Sequence, residues 1–228
     1  MPQDGITLVQ EHSVIIAVDG IDGVGKSSQI ATIQHWLEAR GHHCLCTRDP
    51  GSTAIGLRLR ELLLDSDLTM HRRTEALLFM SSRCEMVESI IRPALANQQT
   101  VITDRFLLSN VVYQSIPPRS SEQATTDNTV SPELLWQLGR LANNGLQPAL
   151  TILLDMPAAK AMTRISGPGD RMESRGVEYM EKVRQAFLKQ LPNSGGATAV
   201  INADQPIEQV TLDVQRQLAT HFADDATP

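Results

Sequence analysis

Apolar residues fall in five short runs along the chain: 13–19 (SVIIAVD), 43–47 (HCLCT), 100–104 (TVITD), 150–155 (LTILLD) and 198–202 (TAVIN). Each run is close to continuous, the pattern of a strand covered on both faces. Between the runs the apolar period lengthens toward 3.6, which predicts amphipathic helices. These cover 26–40, 55–64, 71–97, 132–144, 176–191 and 206–222. Gly41 stands where the first helix should stop, Pro93 should bend the long third one, and Pro206 suits a first turn. Met180, Val183, Phe187 and Leu191 share one helical face. Strands alternating with helices predict an α/β fold in three layers, a five-stranded parallel sheet flanked by helices.

Two segments break the pattern. Residues 116–131 (IPPRSSEQATTDNTVS) are polar and carry prolines, so they predict a flexible surface loop. Residues 164–176 (RISGPGDRMESRG) place Arg164, Arg171 and Arg175 among glycines and a proline. Such a stretch packs badly in a core and predicts a mobile lid. The ends, 1–11 and 223–228, are expected to fray. With no internal repeat, the 228 residues suit a single domain over 1–228.

Composition narrows the partners. A net charge of −6 argues against a general nucleic-acid surface, so any anionic ligand must be met by local arginines. The three cysteines, Cys44, Cys46 and Cys84, are too few and too odd for a disulfide framework and fit a reducing, cytoplasmic setting. Cys44 and Cys46 read as small packing residues in a strand. The opening MPQDGITLVQEH lacks the basic start of a secretory signal, and no apolar run approaches the roughly 20 residues that span a bilayer.

The strongest motif follows the first strand. Gly20-Ile21-Asp22-Gly23-Val24-Gly25-Lys26-Ser27 matches G-x-x-x-x-G-K-[ST], with Ser28 next. Glycines let consecutive backbone N–H groups turn inward around an anion, and the helix starting at Lys26 adds its positive end. Lys26 would reach the β- and γ-phosphates of a nucleotide, and the Ser27 hydroxyl would ligate Mg²⁺. This P-loop implies a nucleoside triphosphate; it leaves the reaction open.

A second group of residues suggests an acceptor. Asp104 and Arg105 close the third strand and are followed by Ser109, Asn110, Tyr113 and Gln114; Arg48 ends the second strand; Phe79 and Arg83 lie one helical turn apart. An Asp at a strand end can hold Mg²⁺ through water, and an arginine can clamp a phosphate. Taken singly, Asp104-Arg105 also reads as a local ion pair and Phe79 as a core residue. A kinase acting on another acceptor, or a nucleotide-binding switch without transfer activity, stays open at this point.

In series, the motifs DGIDGVGKSSQ, TRDPGST, FMSSR and DRFLLSNVVYQ resemble those of the thymidylate kinase family, and the likeness extends over 13–220. The resemblance implies a P-loop kinase fold, a homodimer joined through helix 71–97, and transfer of the ATP γ-phosphoryl group to dTMP with Mg²⁺. It implies that Phe79 stacks on the base while Arg83 bonds its edge, with Asn110 and Gln114 nearby. Tyr113 would crowd the 2′ position of the sugar. Asp22, Arg48 and Arg105 would face the acceptor phosphate, and Asp104 would serve the metal through water. Because the P-loop has no arginine, Arg164 and Arg171, and less clearly Arg175, would supply the transition-state charge. The chain departs from the family pattern at Asp19 and Asp49 for Glu, Phe106 for Tyr, Ser28 for Thr, Ser52 for Gly, Val112 for Ala and Ala149 for Asp.

Overall fold

In the computed structural model, residues 13–65, 67–117, 129–165 and 176–222 are described. The expected loop at 116–131 and lid at 164–176 fall largely outside them, as do both ends. The strands are β1 (Ile15–Asp19), β2 (Cys44–Arg48), β3 (Thr100–Asp104), β4 (Leu150–Asp155) and β5 (Ala197–Asn202). All pair in parallel, in the order β2-β3-β1-β4-β5. The chain moves from β1 to one side for β2 and β3, then returns to the other for β4 and β5. The order therefore reverses beside β1, where sheets of this kind open a crevice at their strand C-termini.

The three inner strands carry the core, with Ile16, Val18, Ile102 and Ile152 wholly buried. The edge strands differ from expectation. In β2, Cys44 is half-buried and Cys46 exposed, so Cys46 is not a packing residue; its thiol lies 3.3 Å from Gln34 Oε1. In β5 only Ala199 and Ile201 are buried, and Val200 is half exposed. An apolar run on an edge strand is covered on one side only.

The helices are α1 (Lys26–Glu38), α2 (Ala54–Leu64), α3 (Arg72–Met86), α4 (Arg92–Ala96), α5 (Leu107–Ser115), α6 (Pro132–Ala142), α7 (Ala158–Met162), α8 (Val177–Gln190) and α9 (Ile207–His221). They flank the sheet in two groups: α1 with α9, and α3, α5, α6 and α8 packed on one another. The long third helix is continuous from α3 into α4 through a π-helical segment, Val87–Ile91, where the Arg92 N–H bonds to Val87 O, five residues back. The proline expected to bend this helix, Pro93, follows directly. It has no N–H to offer and its ring crowds the preceding turn, so the wider π turn accommodates it.

Two helices, α5 and α7, were not expected. Every residue of α5 from Leu107 to Gln114 is buried, so no amphipathic period marks it. The short α7 follows β4 and ends shortly before the residues, 166–175, that lie outside the described ones.

Candidate active site

Four chain segments converge at the C-terminal end of the sheet. The first is the turn from β1 into α1. Gly23 and Gly25 hold φ of 83° and 96°, in the left-handed region that glycine tolerates. A Cβ on Gly23 would lie 2.1 Å from the Ala161 carbonyl oxygen, so the turn also needs glycine to seat against α7. Lys26 opens α1, and its Nζ donates to Gly20 O (3.1 Å), Ile21 O (2.9 Å) and Asp22 Oδ1 (3.3 Å). Ser27 and Ser28 follow on the exposed side of the first turn.

The second segment leaves β3. Arg105 has φ of 70°, unusual for a side chain with a Cβ. In that conformation its Nη1 donates to Gly20 O and Ser109 Oγ, both at 2.9 Å, and its Nη2 to Asp22 Oδ1 at 2.6 Å. Its guanidinium lies 5.3 Å from the centre of the Tyr113 ring. One side chain thus ties the end of β3 to the P-loop and to α5. The third segment, after β2, supplies Arg48 and Asp49. The fourth is α3, whose Phe79 and Arg83 are both buried. Arg83 gives Nε (2.7 Å) and Nη2 to Asp49 Oδ2, a pairing that a buried guanidinium requires.

Between these segments lies a cleft of about 120 Å³, lined among others by Asp22, Arg48, Phe79, Arg83, Arg105, Asn110, Tyr113 and Gln114. The eight residues expected to bind the acceptor nucleotide all line this cleft, while Asp104 does not. Ser109, also noted in the sequence, lines it too, as do Asp49, Pro50, Arg60 and Leu64, which had not been singled out as site residues. The Asp49-Pro50 step inside TRDPGST was a usable signal; Arg60 and Leu64, on a short amphipathic helix, gave none. A second cleft, of about 270 Å³, opens on the other side of the P-loop between Val24, Gly25, Arg164, Gln205, Pro206 and Val210. Arg164 stands there, exposed, while Arg171 and Arg175 lie outside the described residues.

Charge is concentrated around the P-loop. Burial opposes ionisation of Asp22, but the Arg105 and Lys26 charges prevail and hold its carboxyl well below the usual range. Burial lowers Lys26, with Arg105 adding to the effect. Asp19, wholly buried at the end of β1, is pushed up to about 6 by burial, against the pull of Ser109 and Arg105. Its Oδ1 accepts from Ser109 Oγ at 2.5 Å.

Asp104 is partly buried, 3.7 Å from Arg48 Nε, and its Oδ1 has no hydrogen-bond partner among the described residues. That oxygen and the Ser27 hydroxyl are the donor type that a hard divalent cation takes. No group of three or more His, Cys, Asp or Glu with metal-binding geometry occurs among the described residues. Mg²⁺ does not need one, since it is commonly held by one or two protein oxygens together with substrate phosphates and water.

The Thymidylate kinase family model matches residues 18–214, spanning both clefts. The chain belongs to the thymidylate kinase family. The thymidylate kinase of Rhodopirellula baltica is 60% identical over 196 residues, 86% of this chain and 76% of that one. Those of Bifidobacterium longum subsp. infantis and Desulforudis audaxviator are 36% and 37% identical, over 93% and 84% of this chain and 88% and 84% of their own. Two departures from the thymidylate kinase motifs have a visible setting. Asp49 is the carboxylate that pairs with Arg83, and Phe106 is a buried ring 5.3 Å from the Arg83 guanidinium.

Proposed function

We propose that this chain transfers the γ-phosphoryl group of ATP to dTMP, giving dTDP, as one kinase domain working in the cytoplasm. The observation that carries this reading is Asp22. It sits in the P-loop, lines the acceptor cleft, and accepts from both Lys26 and Arg105. Donor and acceptor sites that share one residue are close enough for direct transfer.

ATP places its polyphosphate on the backbone N–H groups of Gly20, Gly23, Val24, Gly25, Lys26, Ser27 and Ser28, with its base in the cleft beside Gln205 and Val210. dTMP occupies the cleft between Phe79 and Arg105. Phe79 offers a flat apolar face to the base, and Tyr113 limits the room at the sugar. Arg48 and Arg105 hold the acceptor phosphate. That phosphate is already anionic and needs no general base. Asp22, held ionised by its two cations, therefore acts by orienting Arg105 and Lys26 and not by taking a proton. Lys26 exchanges its contacts with two backbone carbonyls for the phosphate oxygens and balances their charge. Arg164 and Arg171 would supply the transition-state charge, a role in which arginines can contribute about 10³–10⁵ in rate. Ser27 directly and Asp104 through water would hold Mg²⁺, which when bound screens the charge on the β- and γ-phosphates.

The homodimer expected through helix 71–97 belongs to the same proposal. Support comes from Leu77 on α3 and Ile55 and Leu57 on α2, each 53% exposed. An acceptor screen with ATP tests the reaction. Turnover should be highest with dTMP, lower with dUMP, and negligible with thymidine or AMP. Preference for thymidine would make the chain a nucleoside kinase instead.

A further inference from the structure

The cleft contains amides whose orientation is dictated from behind. Glu75 is wholly buried on α3, one turn before Phe79, and does not line the cleft. Its Oε1 accepts from Arg72 Nη1 at 2.6 Å and from Gln114 Nε2 at 2.8 Å. Gln114 Oε1 in turn accepts from Asn110 Nδ2 at 3.2 Å. Asn110 Oδ1 is buried at the cleft wall with no hydrogen-bond partner among the described residues.

A carboxylate paired with an arginine is an acceptor only, whereas an amide can present either end. Glu75 therefore obliges Gln114 to turn its NH₂ inward. Gln114 then presents its oxygen to Asn110, which turns its NH₂ toward Gln114 and donates one of its two N–H groups there. The end of the Asn110 amide turned away from Gln114 is its oxygen, an acceptor without a hydrogen-bond partner among the described residues, on a residue that lines the cleft. Thymine and uracil carry a donor at N3; cytosine carries an acceptor there. We propose that Glu75 is a positioning residue that sets the hydrogen-bond polarity of the base site, through Gln114 and Asn110, and so selects pyrimidines with an N3–H. This rests on the acceptor reading above and specifies how its base is chosen.

The probe is 5-methyl-dCMP, which keeps the thymine methyl group and inverts the polarity of the edge. In the intact protein, Glu75→Gln preserves shape but supplies an NH₂, so the relay can reverse. The KM for dTMP should rise with kcat and the KM for ATP little changed. The preference for dTMP over 5-methyl-dCMP, taken as the ratio of kcat/KM values, should fall roughly tenfold or more, the scale of one misdirected hydrogen bond. A purely structural role would depress both acceptors equally and leave the ratio intact, which would overturn the proposal. In a Gln114→Leu background the Glu75→Gln effect on the ratio should vanish; persistence would show that Glu75 does not act through Gln114. Should Arg72, left without its carboxylate, prevent the variant from melting cooperatively, neutron diffraction of the wild-type protein decides. An Asn110 ND₂ group lying against Gln114, with the amide oxygen turned away, supports the relay; the amide flipped, with its oxygen against Gln114, refutes it. A wild-type enzyme that ignores dTMP altogether would instead remove the acceptor reading itself.

Discussion

Arg105 carries a backbone conformation that its side chain makes worthwhile. An L-residue in the left-handed region costs roughly 1 kcal/mol relative to glycine, and at φ of 70° Arg105 bears that cost while bridging Gly20, Asp22 and Ser109. Both Arg105→Ala and Arg105→Gly should lose most dTMP kinase activity. Arg105→Gly should nonetheless be the more stable of the two by about 1 kcal/mol in urea unfolding, because only alanine retains the strain. Nearby, Asp19 makes a prediction about pH. Its carboxyl rises from 3.8 unfolded to about 6 folded, so between those values the native state binds the extra proton. Stability from this group is therefore greatest below pH 4, declines as pH rises, and is lost above 6, by about 3 kcal/mol in total. The wild-type unfolding free energy should fall relative to that of Asp19→Asn across this window; a parallel course for the two proteins would refute the assignment. Neither feature could be read from letters alone. Left-handed φ at an arginine leaves no compositional trace, and the burial of Asp19 depends on Ser109 arriving from a helix the apolar pattern did not mark.

At the scale of elements, α8 is tied to the sheet by a bidentate pair. Arg184 Nε and Nη2 donate to Asp155 Oδ1 and Oδ2 at 2.7 and 2.8 Å, while its Nη1 bonds Glu181 at 2.8 Å. The Glu181 carboxylate also accepts from the Ala158 N–H, joining β4, α7 and α8. Arg184→Gln should lower stability by roughly 1–3 kcal/mol in urea unfolding, as expected for a charge-assisted, partly buried pair. The same change at Arg216, whose ion pair with Asp213 is largely exposed, should cost under about 1 kcal/mol. The elements that were legible share one property: a single period or a single punctuating residue decided them. β1, the P-loop and α1 follow from an apolar run, three glycines and Lys26, and β3 and β4 match their apolar runs residue for residue. α5 was hidden because it is buried all round. Phe79 and Arg83 were readable as a pair at helical spacing, whereas Glu75, one turn earlier on the same stripe, belongs to no motif and carries no mark in the sequence.

At the scale of the whole molecule, the proposed dimer can be tested at the exposed apolar side chains on α2 and α3. Leu77→Glu should weaken self-association at least tenfold in sedimentation equilibrium, since one leucine contributes about 2 kcal/mol of burial at each copy. An unchanged association constant would move the interface elsewhere. The π-helical segment at Val87–Ile91 has a wider consequence. It winds one extra residue between the half of the helix that carries Phe79 and Arg83 and the half, α4, that rests on β3. Each residue of an α-helix advances the facing direction by about 100°. The aim of the stripe that carries Phe79 and Arg83 is thus governed by how many residues are threaded through that turn. Substitution there can be absorbed, but a single codon lost or gained would point the stripe away from its partner sites without altering one of its side chains.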